Sequence, residues 1–310
     1  MIETLLLLLF ALAVLLKASD LVVENSIVLA RFFKLSDLAV GFLLVSVATS
    51  IPELVVSVFA ATKGDVGLAV GNVLGSNLAN IGLVLGVSTF FGVLAVQRKE
   101  TYSLARILLL VSVIPLALLL HIPSALTGFV LLAVFVAFAY YVLKKRMVLE
   151  PPEAVPGRKA VFSALLFMLG VGVVLLSANY VVDFAAALAQ TAGISQSFVG
   201  ATLVAVSTSL PELAVTISAV RKRHSSLAFG NVLGSCITNI TLVLGAAALL
   251  NPLAANIFSF LNLVIFLLIE NILLWYFLET QKKITLREGL VLIGVYALFL
   301  IAGMQAELLV

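Results

Sequence analysis

The sequence predicts an all-α membrane protein of ten transmembrane helices, arranged as two inverted five-helix repeats. Three observations carry this. Apolar residues make up 63% of the 310-residue chain and charged residues 11%, too little polar surface to coat a water-soluble domain of this size. Ten apolar segments are long enough to cross a hydrocarbon core of ~30 Å, which takes about 20 residues of helix. Residues 41–86 also match residues 200–245 without a gap, with 26 of 46 positions identical, the signature of an internal duplication.

Taken in order, helix one (2–31) opens MIETLLLLLFALAVLL. It lacks the basic leader of a signal peptide, and its polar continuation has a counterpart in the second half, where Asn179 and Asp183 match Asp20 and Glu24, so it reads as a membrane helix. Asp20, Glu24 and Asp183 fall late in long helices, where water or a partner meets them. Helices two (37–62) and three (66–96) carry the first repeat motif, 41–86. Helices four (101–120) and five (123–143) complete the first unit, 1–143. The linker 144–159, KKRMVLEPPEAVPGRK, has three prolines and basic ends and reads as an exposed cytoplasmic boundary. Helices six to ten (160–190, 196–220, 225–249, 254–278 and 285–305) form the second unit, 160–310, with its motif at 200–245.

Charge placement sets the orientation. Fifteen of the 18 lysines and arginines fall in odd-numbered connections and Lys63 alone in an even one, so the positive-inside rule puts both termini outside the cell membrane. The 159-residue offset spans five crossings, an odd number, so the second copy enters from the opposite side. A net charge of +3 spread over short loops is no nucleic-acid surface. Cys236 is the only cysteine, which excludes an intramolecular disulfide and a thiolate metal cluster and leaves a small packing residue. His121 and His224 read as solvated loop residues, and Tyr140, Tyr141, Trp275 and Tyr276 as an interfacial belt. No nucleotide motif, catalytic triad or soluble domain points to an enzyme.

The chemistry lies in TSIPELVV at 49–56 and TSLPELAV at 208–215. Glu53 and Glu212 stand there in apolar segments otherwise almost free of acid, and a carboxylate at membrane depth is costly enough to mark a functional site. Ser46, Thr49, Ser50 and Glu53 recur at helical spacing on one face. Pro52 has no N–H and frees the Ala48 carbonyl, tolerated in lipid only where it lines a polar cavity. The second copy offers Thr208, Ser209 and Glu212 with Pro211, while Ala205 replaces Ser46 and supplies only its backbone oxygen. Helix three adds Asn72, Ser76 and Asn80 in one stripe, and helix eight adds Asn231, Ser235 and Asn239. Gly71, Gly75, Gly230 and Gly234 allow these stripes to approach a neighbouring helix. Taken singly, each feature is ordinary helix packing. Duplicated around two acids, they describe a cavity of hard oxygen ligands carrying two negative charges, suited to Ca2+, Na+, Mg2+ or Mn2+ rather than zinc or copper, and hence an ion transporter.

At these residues the chain resembles the cation/Ca2+ antiporter superfamily, and within it the prokaryotic sodium/calcium exchangers. The matching motifs are SVATSIPELVVS with GNVLGSNLANIGLVLG, and AVSTSLPELAVT with GNVLGSCITNITLVLG. The resemblance implies electrogenic Na+/Ca2+ exchange by alternating access, with long first and sixth helices sliding across a fixed body. It also implies that Glu53, Glu212 and the backbone oxygens of Thr49 and Thr208 bind Ca2+. Ser46, Ser50, Ser76, Asn80, Ala205, Ser209, Ser235 and Asn239 would complete the Na+ sites. No cofactor is implied; the ions are substrates. Ala48 and Ser207 replace the family's usual glycines, and the amide of Asn239 argues against K+ co-transport. A Ca2+/H+ exchanger is the alternative, and a passive cation channel a more distant one.

Overall fold

The computed structural model describes residues 2–64, 66–95, 99–114, 124–144, 155–191, 207–251 and 261–308. Its helices are α1 (Ile2–Phe33), α2 (Asp37–Thr49), α3 (Ile51–Thr62), α4 (Val66–Leu78, running on through Ala79–Leu85 to Gly86–Ser88), α5 (Lys99–Val111), α6 (Ser124–Lys144), α7 (Gly157–Thr191), α8 (Leu210–Arg221), α9 (Ser225–Leu250), α10 (Leu261–Gln281) and α11 (Leu286–Leu308). Among the described residues, six helices are long and apolar enough to span a membrane, or seven if α2 and α3 are one bent span. The expected linker residues 145–154, the first part of helix seven and the start of helix nine lie outside the described residues, as does His121.

Burial separates a central group from a lipid-facing one. The apolar windows of α4 and α9 are 83% buried, against 33% for α1 and 22% for α6. Every residue of α9 from Ser225 to Thr238 is buried, so its polar stripe must find partners inside the protein. Phe10, Phe129, Phe162 and Leu165 stand exposed on α1, α6 and α7, as side chains facing lipid do. α1 and α7 pack along one another, Gly170 lying against Val22 and the Ala18 carbonyl.

Helix three is shorter than expected. It stops at Ser88 rather than 96, because Phe90 N–H to Val87 O and Phe91 N–H to Ser88 O close tight three-residue turns. The chain then enters β1 (Leu94–Ala95), which pairs antiparallel with β2 (Lys283–Ile284). Other expectations are corrected or refined locally. His224 is not a free surface residue: its Nδ1 lies 2.8 Å from Asp37 Oδ2, joining the starts of α9 and α2. Asp20 and Glu24 are paired, Asp20 accepting from Ser218 Oγ at 2.6 Å and Glu24 from Lys222 at 2.7 Å, which ties α1 to α8.

Candidate cation site

The first motif builds a broken helix, and the described part of the second repeats its geometry. Ser50 (φ −81°, ψ 9°) leaves helical geometry between α2 and α3, which meet at a 46° bend. Ser209 (φ −89°, ψ 1°) does the same ahead of α8. Pro52 and Pro211 open the helices that follow, where a missing N–H costs nothing. Glu53 and Glu212 fall in the first turns, so the positive end of each helix dipole favours the carboxylate beside it.

Both glutamates are wholly buried. Glu212 Oε1 accepts from Ser50 Oγ at 3.3 Å and Ser235 Oγ at 3.2 Å, so residues of both halves hold it. Glu53 lies beside Ser76 and Thr208 and within reach of the charge on Glu212. Ser76 and Thr208 hydroxyls meet at 3.1 Å. Thr49 Oγ1 is 3.3 Å from both Ser46 O and Asn231 Oδ1, while Ser46 Oγ donates to Phe42 O.

The asparagines divide into two kinds. Asn72 Nδ2 donates to Glu53 O at 3.1 Å and Ser57 Oγ at 2.9 Å; Asn231 Nδ2 donates to Glu212 O at 3.3 Å and Thr216 Oγ1 at 3.0 Å. This pair clamps the glutamate backbones in the two halves alike. Asn80 is instead the second residue, and Asn239 the first, of π-helical turns, Ala79–Leu85 and Asn239–Val243, wide turns that recur at functional sites. Asn239 Nδ2 donates to Asn77 Oδ1 at 3.1 Å. Asn77, which the sequence reading passed over, also donates to Cys236 O at 3.0 Å. Its only signal was a polar residue facing Cys236, its own counterpart in the repeat.

α2 and α9 cross closely enough that a Cβ at Gly41 would lie 2.5 Å from Leu227 O, and one at Gly234 would lie 2.7 Å from Ser46 Oγ. Glycine is what lets α2 and α9 approach this closely, with Ser46 against Gly234. Of the predicted ligands, Ser46, Thr49, Ser50, Glu53, Ser76, Asn80, Thr208, Ser209, Glu212, Ser235 and Asn239 are all buried, on helices that pack together. Ala205 lies outside the described residues.

Unpaired oxygens concentrate here. Both Glu53 oxygens, Glu212 Oε2, Ser209 Oγ, the Asn80 amide and Asn239 Oδ1 have no hydrogen-bond partner. The ion pairs of the described residues join Arg106 to Glu279, Lys222 to Asp20 and Glu24, and His224 to Asp37; none reaches Glu53 or Glu212. When ionised, these two buried carboxylates have no cationic side chain to offset their charge.

Comparison with known proteins defines the class. The family model described as "Sodium/calcium exchanger protein" matches residues 3–144 and 162–304. The chain is 30% identical to the sodium/calcium exchanger MaX1 of Methanosarcina acetivorans, over 96% of this chain and 97% of that one. It is 32% identical to the uncharacterized membrane protein MJ0091 of Methanocaldococcus jannaschii, over 90% of each. The solved structure of the sodium-calcium exchanger NCX_Mj soaked with 10 mM Na+ and no Ca2+ superposes with a TM-score of 0.82 at 30% identity, covering 96% of this chain and 97% of that one. The fold and these relatives define a multi-pass membrane antiporter for Ca2+ and other cations. The chain belongs to the sodium/calcium exchanger family.

Proposed function

We propose that this antiporter exchanges Na+ for Ca2+ by alternating access around one site, with Glu53, Glu212 and the backbone oxygens of Thr49 and Thr208 holding Ca2+. Ser46, Ser50, Ser76, Asn80, Ser209, Ser235, Asn239 and the backbone of Ala205 serve the Na+ ions. The observation that carries this reading is the pair of buried glutamates among neutral oxygens, of which Ser209 Oγ, Asn80 Oδ1 and Asn239 Oδ1 are unpaired. Two carboxylates neutralise one divalent ion. Amide and hydroxyl oxygens replace the hydration shell of Na+, whereas Asn80 and Asn239 carry no proton to deliver, which favours Na+ over H+ as the coupling ion. Similarity to MaX1 and to an exchanger studied with Na+, Ca2+ and Sr2+ supports the same substrates here.

The proposed architecture is two inverted units, 1–143 and 160–310, joined by the cytoplasmic linker 144–159, with both termini outside. Two contacts support the two-fold relation: Asn77 meets Cys236 and Asn271 meets Ser112 at 3.2 Å, each pair 159 residues apart. A residue touches its own counterpart only near a two-fold axis. Such a construction gives inward-open and outward-open states of similar build.

Titration calorimetry of the purified protein tests the shared site. Ca2+ and Na+ draw on the same two carboxylates, and full simultaneous occupancy would leave excess positive charge in a medium of low dielectric. Saturating Na+ therefore weakens Ca2+ binding; unchanged Ca2+ affinity would contradict a shared site.

A further inference from the structure

Glu270 is the one wholly buried acid among the described residues that the cation site does not use. It stands in the middle of α10, in the apolar run LNLVIFLLIENILLWYFLETQ. No side chain hydrogen-bonds to either carboxylate oxygen, the Gly82 backbone is the polar group against it, and none of the ion pairs above includes it. Its immediate neighbour is Gly82, in the same π-helical turn as Asn80. A Cβ at Gly82 would collide with Glu270 Oε1 and come within 2.6 Å of Tyr296 Cβ.

The repeat shows that this contact is specific to one half. Shifted by 159 residues, Gly82 becomes Thr241 and Glu270 corresponds to Val111. The repeat departs from itself at two positions that touch: a glycine makes the space and an acid fills it. The titratable groups within reach of a charge on Glu270 are Tyr296 from α11 and Cys236 from α9. Arg106 of α5 is engaged with Glu279, more than two helical turns from Glu270 along α10. An isolated carboxylate in this place would cost several kcal/mol.

We propose that Glu270 is a proton-binding site, separate from the carboxylate pair and packed against the turn that carries Asn80, so that its proton occupancy is linked to ion exchange. Proton release places a charge with no cationic partner against the Gly82 backbone and disturbs the register of the turn that carries Asn80. The link to exchange rests on the proposed function; the proton site does not.

Infrared difference spectroscopy reads the two separately. In a Glu53→Gln/Glu212→Gln background in lipid, a protonated carboxyl C=O band persists at neutral pH, shifts in deuterated water and vanishes when Glu270→Gln is added. Absence of that band from the double variant overturns the proton site. If the triple variant does not fold, Glu270→Asp in the double background supplies the assignment: a shifted band supports Glu270, and an unmoved band overturns it. In proteoliposomes, Na+-driven Ca2+ uptake by the wild type declines on the alkaline side, and Glu270→Gln loses that decline. An unchanged pH profile in Glu270→Gln rejects the link while leaving Na+/Ca2+ exchange intact; absence of Na+-driven uptake from the wild type rejects the proposed function and leaves the spectroscopic result standing.

Discussion

Pro52 and Pro211 open α3 and α8 and leave a glutamate in the first turn of each, so a carboxylate-to-amide change at 53 or 212 tests charge with little change of shape. Glu53→Gln or Glu212→Gln keeps size and hydrogen-bonding atoms but leaves a dehydrated divalent ion with one anionic ligand. Ca2+ transport should fall by about 100-fold or more, the equivalent of roughly 3 kcal/mol or more for a broken buried charge pair, with expression preserved. Proteoliposome uptake by the purified variants checks this, and near-normal rates in both would remove these residues from the site. The glutamates and their hydroxyl neighbours were legible because the motif occurs twice. Asn77 and Glu270 were not, since neither is duplicated: Asn77 faces a cysteine counterpart, and Glu270 corresponds to a valine. Glu270 adds a third buried acid, which the cost of an acid within an apolar run already signalled.

Helices two, five and six were legible nearly to their ends, because apolar length and punctuation by Pro, Gly and basic residues mark them. The π-helical turns at Gly41–Val45, Ala79–Leu85 and Asn239–Val243 were not: an inserted residue leaves no local compositional mark, and a regular spacing of four places Asn80 and Asn239 in an unbroken stripe. The β1–β2 pairing was equally hidden, two residues per strand being too short for an alternating pattern. Helix crossings provide the test at this scale. Gly234→Ala drives a methyl group into Ser46 Oγ and Phe42 Cα, which would lie 2.7 and 2.9 Å away. It should cost about 1–3 kcal/mol as overpacking, seen as a lower Tm in detergent together with reduced transport. Gly172 of α7 has no neighbour within 4 Å of such a methyl, and Gly172→Ala should leave Tm unchanged or raise it, alanine being the better helix former by up to about 1 kcal/mol. Equal losses in the two variants would reject the close crossing of α2 and α9.

For the whole molecule, the duplication brings paired glutamates and clamping asparagines together in the buried interior, and the proposed inverted arrangement, read from either side, would give two access states. If three Na+ exchange for one Ca2+, as the family resemblance implies, one net charge crosses per cycle, and about 2.3 kcal/mol per 100 mV biases it. Ca2+ uptake should then respond to an imposed membrane potential; Na+-driven but voltage-insensitive uptake would reject that stoichiometry. The central claim, that Na+ drives Ca2+ through this site, is tested most directly by Ca2+ uptake into proteoliposomes under imposed Na+, K+ or H+ gradients. An outward Na+ gradient should drive uptake, while K+ or H+ gradients alone should do little. Uptake driven equally well by a pH gradient in Na+-free solution would contradict the claim and assign the site to Ca2+/H+ exchange.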